Sequence, residues 1–184
     1  KSVTAMLKDI DVDGKLSLEA DVAGVLSDNQ LPVVDATVVL QEGRGKYASL
    51  PYTLRDVATE VDAHVDLNNE RATNVAIHQL SAKTQHSSVQ ARGKVLEPLT
   101  DMQLQLRVGV NVYLPEMAYF MPDNLDVQGR AKGTVNVSAR LNDLLEMNLA
   151  KTKLSGDVHL YELAGVLDDM QVASPDMRVA FELP

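Results

Sequence analysis

A segment near the start of the chain has the residue types of a calcium-binding loop. Asp9, Asp11 and Asp13 alternate as carboxylate ligands do, and a glycine follows where such a loop must turn. That glycine is Gly14. The twelfth loop position, which supplies a bidentate carboxylate, is Ala20. The spacing therefore favours the polar edge of a strand, and we expect no metal ion there.

The four histidines show no spacing typical of metal ligands. They are His64, His78, His86 and His159. His64 and His159 alternate with apolar neighbours, which indicates solvated polar strand faces. The sequence also contains no G-x-S-x-G elbow, P-loop or dinucleotide fingerprint. These observations predict no catalytic residue, no cofactor and no enzymatic activity.

Composition restricts the class of partner. The chain of 184 residues has a net charge of -9, with 17 Lys and Arg against 26 Asp and Glu. Nucleic-acid binding depends mainly on cations that neutralise phosphates, so we expect no nucleic-acid partner. Cysteine is absent, which excludes disulfides and thiolate chemistry. The sequence opens at Lys1 with no visible signal peptide, so we expect either a removed leader or a segment of a longer protein.

Strict alternation of apolar and polar residues is the strongest pattern in the sequence. It is clearest over 102–114 and 125–141, where the spacing of apolar residues is two rather than 3.6. The same alternation marks 12–26, 34–40, 57–67, 89–95, 154–160 and 177–183. The pattern predicts one all-β domain over 1–184, built from long antiparallel strands in a strongly twisted, curved meander sheet, as a groove or half-barrel.

Two further local patterns qualify this architecture. Pro115 and Pro122 bracket an apolar run, which predicts one short helix near 115–121. Asn142-Asp143 is typical of a turn.

The segment 11–28 aligns without gaps onto 126–143, with six identities in 18 positions. This alignment indicates weak internal repetition of a strand, turn and strand.

The apolar strand faces are the candidate working surface. Their clearest members come from the two longest alternating segments. They are Leu104, Leu106, Val108, Val110, Val112, Val127, Val135 and Val137. Periodicity alone favours a sandwich or barrel core packed on itself. The alternative is a curved sheet whose concave face stays open and binds lipid chains, which the scarcity of aromatic residues favours.

The chain resembles the AsmA-like family of Gram-negative envelope proteins, best over 74–160. The resemblance rests on Ser87-Ser88-Val89 leading to Gly93, the Pro-bracketed segment 114–122, and the L-x-D-L turn 141–144. The Leu-Pro strand entry in 49–62 is also similar.

The resemblance implies a non-enzymatic role in outer-membrane assembly or intermembrane lipid transport through a hydrophobic β-groove. It implies a periplasmic location, with an inner-membrane anchor that is not present in this chain. The implied partner is phospholipid or another envelope lipid, and no protein partner is identified. Two alternatives remain open: a structural or interaction β domain with a closed core, and a periplasmic or surface binding domain.

Overall fold

A computed structural model describes residues 10–27, 30–47, 52–121, 125–146, 148–167 and 170–183. These residues form one antiparallel sheet whose nine strands follow the order of the chain. The strands are β1 (Ile10–Ala23), β2 (Val33–Tyr47), β3 (Thr53–Asp66), β4 (Asn74–Lys83), β5 (Ser88–Leu96), β6 (Gln103–Tyr113), β7 (Leu125–Arg140), β8 (Lys153–Leu167) and β9 (Met170–Leu183). The sheet is not closed, and more than half of the chain is strand. The predicted all-β meander is confirmed.

Strand pairing converts the alternation in the sequence into rows of apolar residues across the sheet. Directly opposed residues form one row from β1 to β9: Leu18, Val38, Val61, Ile77, Gly93, Leu106, Val137, Leu154 and Leu183. A second row runs through Leu16, Leu40, Thr59, Leu80, Ala91, Val108, Val135, Gly156 and Phe181. Because the side-chain period of a strand is two, both rows occupy one face, which we call the apolar face.

The apolar face is not covered by a second layer in the described part of the chain. There, only Ala131 and Ala139 are buried hydrophobic residues. Leu16 and Leu18 on β1 are 69% and 68% exposed. A core packed on itself would bury these side chains. Within the described residues the sheet is therefore a single open layer, and the closed sandwich or barrel expected from periodicity is not observed.

The helical segments are short. The helix expected near 115–121 is a 3-10 helix over Leu114–Phe120, with a proline in its first turn. The predicted turn at Asn142-Asp143 was wrong, since these residues lie in an α-helix, α1 (Leu141–Leu145). The backbone N–H of Leu141 donates to the carbonyl of Met102, which fixes the start of this helix against the β5–β6 connection. Two further 3-10 turns cover Glu70–Ala72 and Leu149–Lys151.

Strand β4 was not predicted, and a bulge explains why. The register of β4 with β5 shifts between Ile77 and Leu80, so β4 has one extra residue there, and two of its residues oppose the single residue Arg92 of β5. These two residues are His78 and Gln79. A bulge interrupts the period of two that identifies a strand in sequence. Consequently Val75, Ile77 and Leu80 do not alternate, although the registers place all three on the apolar face.

The internal repeat has a structural counterpart. Gly14 on β1 and Gly129 on β7 occupy aligned positions, and each lies at a register shift. Both have positive φ, 155° and 118°. Gly14 therefore lies inside a strand and not at the turn of a calcium loop, while Asp9 is outside the described residues.

Candidate functional site

The apolar face brings together seven of the eight predicted site residues. Leu104, Leu106, Val108, Val110 and Val112 alternate along β6. Val135 lies directly opposite Val108, and Val137 lies directly opposite Leu106. All seven are half-buried, which is the exposure expected of aliphatic side chains on an uncovered sheet.

Val127 lies apart from these seven residues along the strand. It precedes Gly129 on β7, where the register with β8 shifts. Its direct partner on β8 is Gly165, and a Cβ at Gly165 would lie 3.7 Å from Val127 Cγ2. Val127 therefore lies beyond the register shift, beside the space that Gly165 leaves on β8.

The apolar face is larger than the predicted site. It continues onto the edge strands β1 and β9, and several of its large side chains are exposed. These additional residues are Leu16, Leu18, Val22, Leu80, Val89, Met177 and Val179. The alternation in 12–26 and 177–183 predicted the two edge strands. Pairing across strands shows that they belong to the same surface as β6 and β7.

The chemistry of the apolar face is restricted to hydrophobic contact. The two rows contain no ionisable residue. Their one hydroxyl, Thr59 Oγ1, donates to the backbone carbonyl of Gln79 at 3.2 Å. Hydrocarbon chains gain about 0.8 kcal/mol for each buried methylene, so a continuous aliphatic surface suits an elongated apolar ligand.

His64, His78 and His159 occupy the opposite, polar face, as predicted for His64 and His159, and each has a carboxylate partner. His64 Nδ1 lies 2.7 Å from Asp35 Oδ1, and His78 Nε2 lies 2.6 Å from Asp62 Oδ2. His159 pairs with an aspartate of β9. Each pair joins two adjacent strands, and in the described residues no group of three potential metal ligands occurs. These exposed histidine–carboxylate contacts link adjacent strands, and solvent screens them.

A hydrogen-bond network fixes one end of the sheet. The carboxylate of Glu116, in the 3-10 helix after β6, accepts from the hydroxyls of Thr84 and Ser87 in the β4–β5 turn. It also accepts from the backbone N–H of His86 at 3.0 Å. Ser87 Oγ in turn accepts from the N–H of Tyr113 at 2.9 Å. The network ties the β4–β5 turn to the end of β6 and holds the edge of the apolar face in place.

The pKa of Glu116 reflects this network. Burial raises the pKa of the carboxyl, but the hydrogen bonds from Ser87, Thr84 and the His86 backbone outweigh burial, and the pKa lies below its ordinary value. Alternation along the chain could not reveal this contact, because its members are 29 to 32 residues apart.

No helix in the described residues is long and apolar enough to span a membrane. Comparison with family models, with curated proteins and with solved structures finds no match to this chain.

Proposed function

We propose that this chain is a non-enzymatic, lipid-handling module whose apolar face holds hydrocarbon chains. The role that fits is outer-membrane assembly or lipid transport between membranes of the Gram-negative envelope. The ligand is phospholipid or another envelope lipid with acyl chains.

One observation carries this proposal: the apolar face is continuous across all nine strands and uncovered in the described residues. Monomeric soluble proteins rarely expose large contiguous apolar surfaces, and those that do use them for binding. Strands lie about 4.8 Å apart, so nine strands give a surface about 40 Å wide, which is longer than an acyl chain.

The resemblance to AsmA-like proteins supports the same role and supplies the location. It implies a periplasmic module that belongs to a protein anchored in the inner membrane. Fractionation of the full-length protein tests this location. Recovery with the inner membrane is expected, and recovery in the cytosol would contradict the envelope assignment.

The direct test is lipid retention. About a dozen buried methylenes give about 10 kcal/mol before ordering costs, so bound lipid should survive purification. Protein expressed in a Gram-negative host and purified without detergent should show lipid adducts in native mass spectra and acyl chains in organic extracts. Lipid-free protein that also fails to take up a fluorescent fatty acid would contradict the proposal.

A closed structural domain is the competing function. It requires a partner or a second layer that covers the apolar face permanently. Such a domain would exclude lipid even when lipid is supplied in excess, so the uptake experiment separates the two functions.

A further inference from the structure

Charge is segregated on the polar face. The carboxylates of this face lie towards its two edges: Glu19, Asp21, Asp35, Glu60 and Asp62 on β1 to β3, and Asp157 and Asp176 on β8 and β9. By contrast, β5 and β6 contain no Asp or Glu: their sequences are SVQARGKVL and QLQLRVGVNVY. Their charged residues are Arg92, Lys94 and Arg107. A protein with a net charge of -9 thus has a purely cationic patch at the centre of one face.

Two cations of this patch face each other directly. Arg92 on β5 is the register partner of Arg107 on β6. Lys94 is two residues further along β5, on the same face, and lies diagonal to Arg107. Like charges directly opposed on a sheet are destabilising, so this arrangement has a cost for the folded protein.

The three cations lack the carboxylate partners that four other cations on this sheet have. Lys15, Lys83, Arg140 and Arg178 each pair with a carboxylate. In the described part of the chain, no ion pair or side-chain hydrogen bond involves Arg92, Lys94 or Arg107. Their donors are available to a ligand.

Neutral hydrogen-bonding side chains surround the two arginines. Arg92 and Arg107 line two adjoining depressions of about 690 and 480 Å³. The first also contains Gln105, Asn136 and Ser138, and the second contains Gln90 and Thr134. No carboxylate lines either depression, and His78, which pairs with Asp62, lines both.

We infer that Arg92, Arg107 and Lys94 form a binding site for a dianionic phosphate group. Guanidinium groups match the oxygens of phosphate with paired hydrogen bonds, and an ammonium adds a point charge. Three unpaired cations favour a dianion, such as inorganic phosphate or a phosphomonoester, over the singly charged phosphodiester. The site is on the opposite face from the proposed lipid surface, so it is independent of that proposal.

The test is a titration of the folded chain with inorganic phosphate at low ionic strength, followed by NMR. The Nε–H signals of Arg92 and Arg107 should shift and saturate. The double variant R92Q/R107Q should bind at least tenfold more weakly. Lys15→Gln, which removes a cation already paired with Glu42, is the matched control and should bind as the wild type does.

The source of the phosphate is tested with vesicles. Phosphatidic acid presents a phosphomonoester, whereas phosphatidylglycerol presents a phosphodiester. Binding to phosphatidic acid vesicles, lost in R92Q/R107Q, would assign the site to a lipid headgroup, and binding to inorganic phosphate alone would assign it to a free phosphate.

The double variant also has a built-in control for folding. Because it removes two opposed like charges, R92Q/R107Q should melt at the same temperature as the wild type or higher. A folded double variant that retains phosphate binding would overturn the site. Absence of both phosphate and phosphatidic acid binding in the wild type would also overturn it.

Discussion

Gly129 of β7 lies opposite the bulge that begins at Glu162 of β8. Glu162 has φ of 51°, and a Cβ at Gly129 would lie 2.7 Å from the carbonyl oxygen of Tyr161. The same arrangement recurs at the other end of the sheet, where Gly14 opposes the bulge at Glu42, which has φ of 54°. A bulge bends its strand and increases twist, so the two positions shape the sheet in equivalent ways.

Gly129→Ala should destabilise the protein by about 1–3 kcal/mol, because alanine brings a close contact and disfavours positive φ. Urea unfolding measures the change. Gly109→Ala is the matched control: it lies on β6, and a Cβ there would come no closer than 4.0 Å to another atom. The stability of this variant should change by less than about 1 kcal/mol. The change can be an increase, because alanine lowers the conformational entropy of the unfolded chain. Equal losses in the two variants would contradict this role for Gly129.

Glu116→Gln should lower stability at pH 7 by about 1–2 kcal/mol, because hydrogen bonds to a charged acceptor are replaced by weaker ones. The pKa of Glu116 is depressed in the folded protein. The Glu116 carboxylate therefore contributes fully to the stability of the fold above the pKa that it has in the unfolded chain, about 4.3. This contribution is lost as pH falls through the pKa of Glu116 in the folded protein. Unfolding in urea at pH 7 and pH 3 should show a difference between wild type and variant that shrinks on acidification.

The control for this pH dependence is Glu60→Gln. Glu60 is exposed on the polar face of β3. Its replacement should change stability by less than about 0.5 kcal/mol at either pH. If Glu116→Gln behaved in the same way, the network at the end of the sheet would contribute nothing measurable.

Val110→Glu should abolish lipid retention while the protein stays folded. Val110 lies on the apolar face of β6, directly opposite Gly133. A carboxylate against hydrocarbon costs several kcal/mol, whereas water can solvate it on an uncovered sheet. Native mass spectrometry of the lipid adducts and circular dichroism measure the two effects. An unfolded variant would indicate that the face is sealed in solution.

Gln41→Glu is the matched control for that variant. It adds the same charge to the sheet, but on the exposed polar face of β2. Lipid retention and the circular dichroism spectrum should both remain as in the wild type. Loss of lipid in both variants would mean that charge alone, and not its position on the apolar face, governs binding.

The pKa of Asp62 should rise when Thr37 is replaced by valine. Hydrogen bonds from Thr37 and then His78 lower the pKa of this exposed carboxyl. The Thr37 hydroxyl donates to Asp62 Oδ1 at 2.7 Å, and valine has the same shape without the hydroxyl. NMR titration of the side-chain carboxyl carbon measures the change. Ser17→Ala, on β1, should leave the Asp62 titration unchanged.

Much of the fold was predictable because one physical rule, the period of two, holds along most strands. Leu104 to Val112 and Ala131 to Ala139 follow this rule without interruption, and both strands were predicted. The rule fails at His78 and Gln79, where the bulge hides β4. It also cannot distinguish a covered face from an open one, because both require the same alternation. The open single layer became evident only from the pairing order and from the exposure of Leu16 and Leu18.

The candidate surface was predicted in its centre but not in its extent. Residues on β6 and β7 were identified because they form the longest alternating runs. The Glu116 network and the opposed Arg92 and Arg107 depend on register between distant segments, which alternation does not specify.

The order of the strands has a consequence for how such a molecule changes over evolution. Each strand pairs only with its neighbours in the sequence, so stability approximates a sum of nearest-neighbour terms. Duplication of one hairpin would widen the apolar face by about 10 Å and leave every existing pair intact. Duplication of a single strand would reverse the direction of all later strands. Growth in steps of two strands is therefore the route by which the width of this surface can change while every existing strand pair is kept.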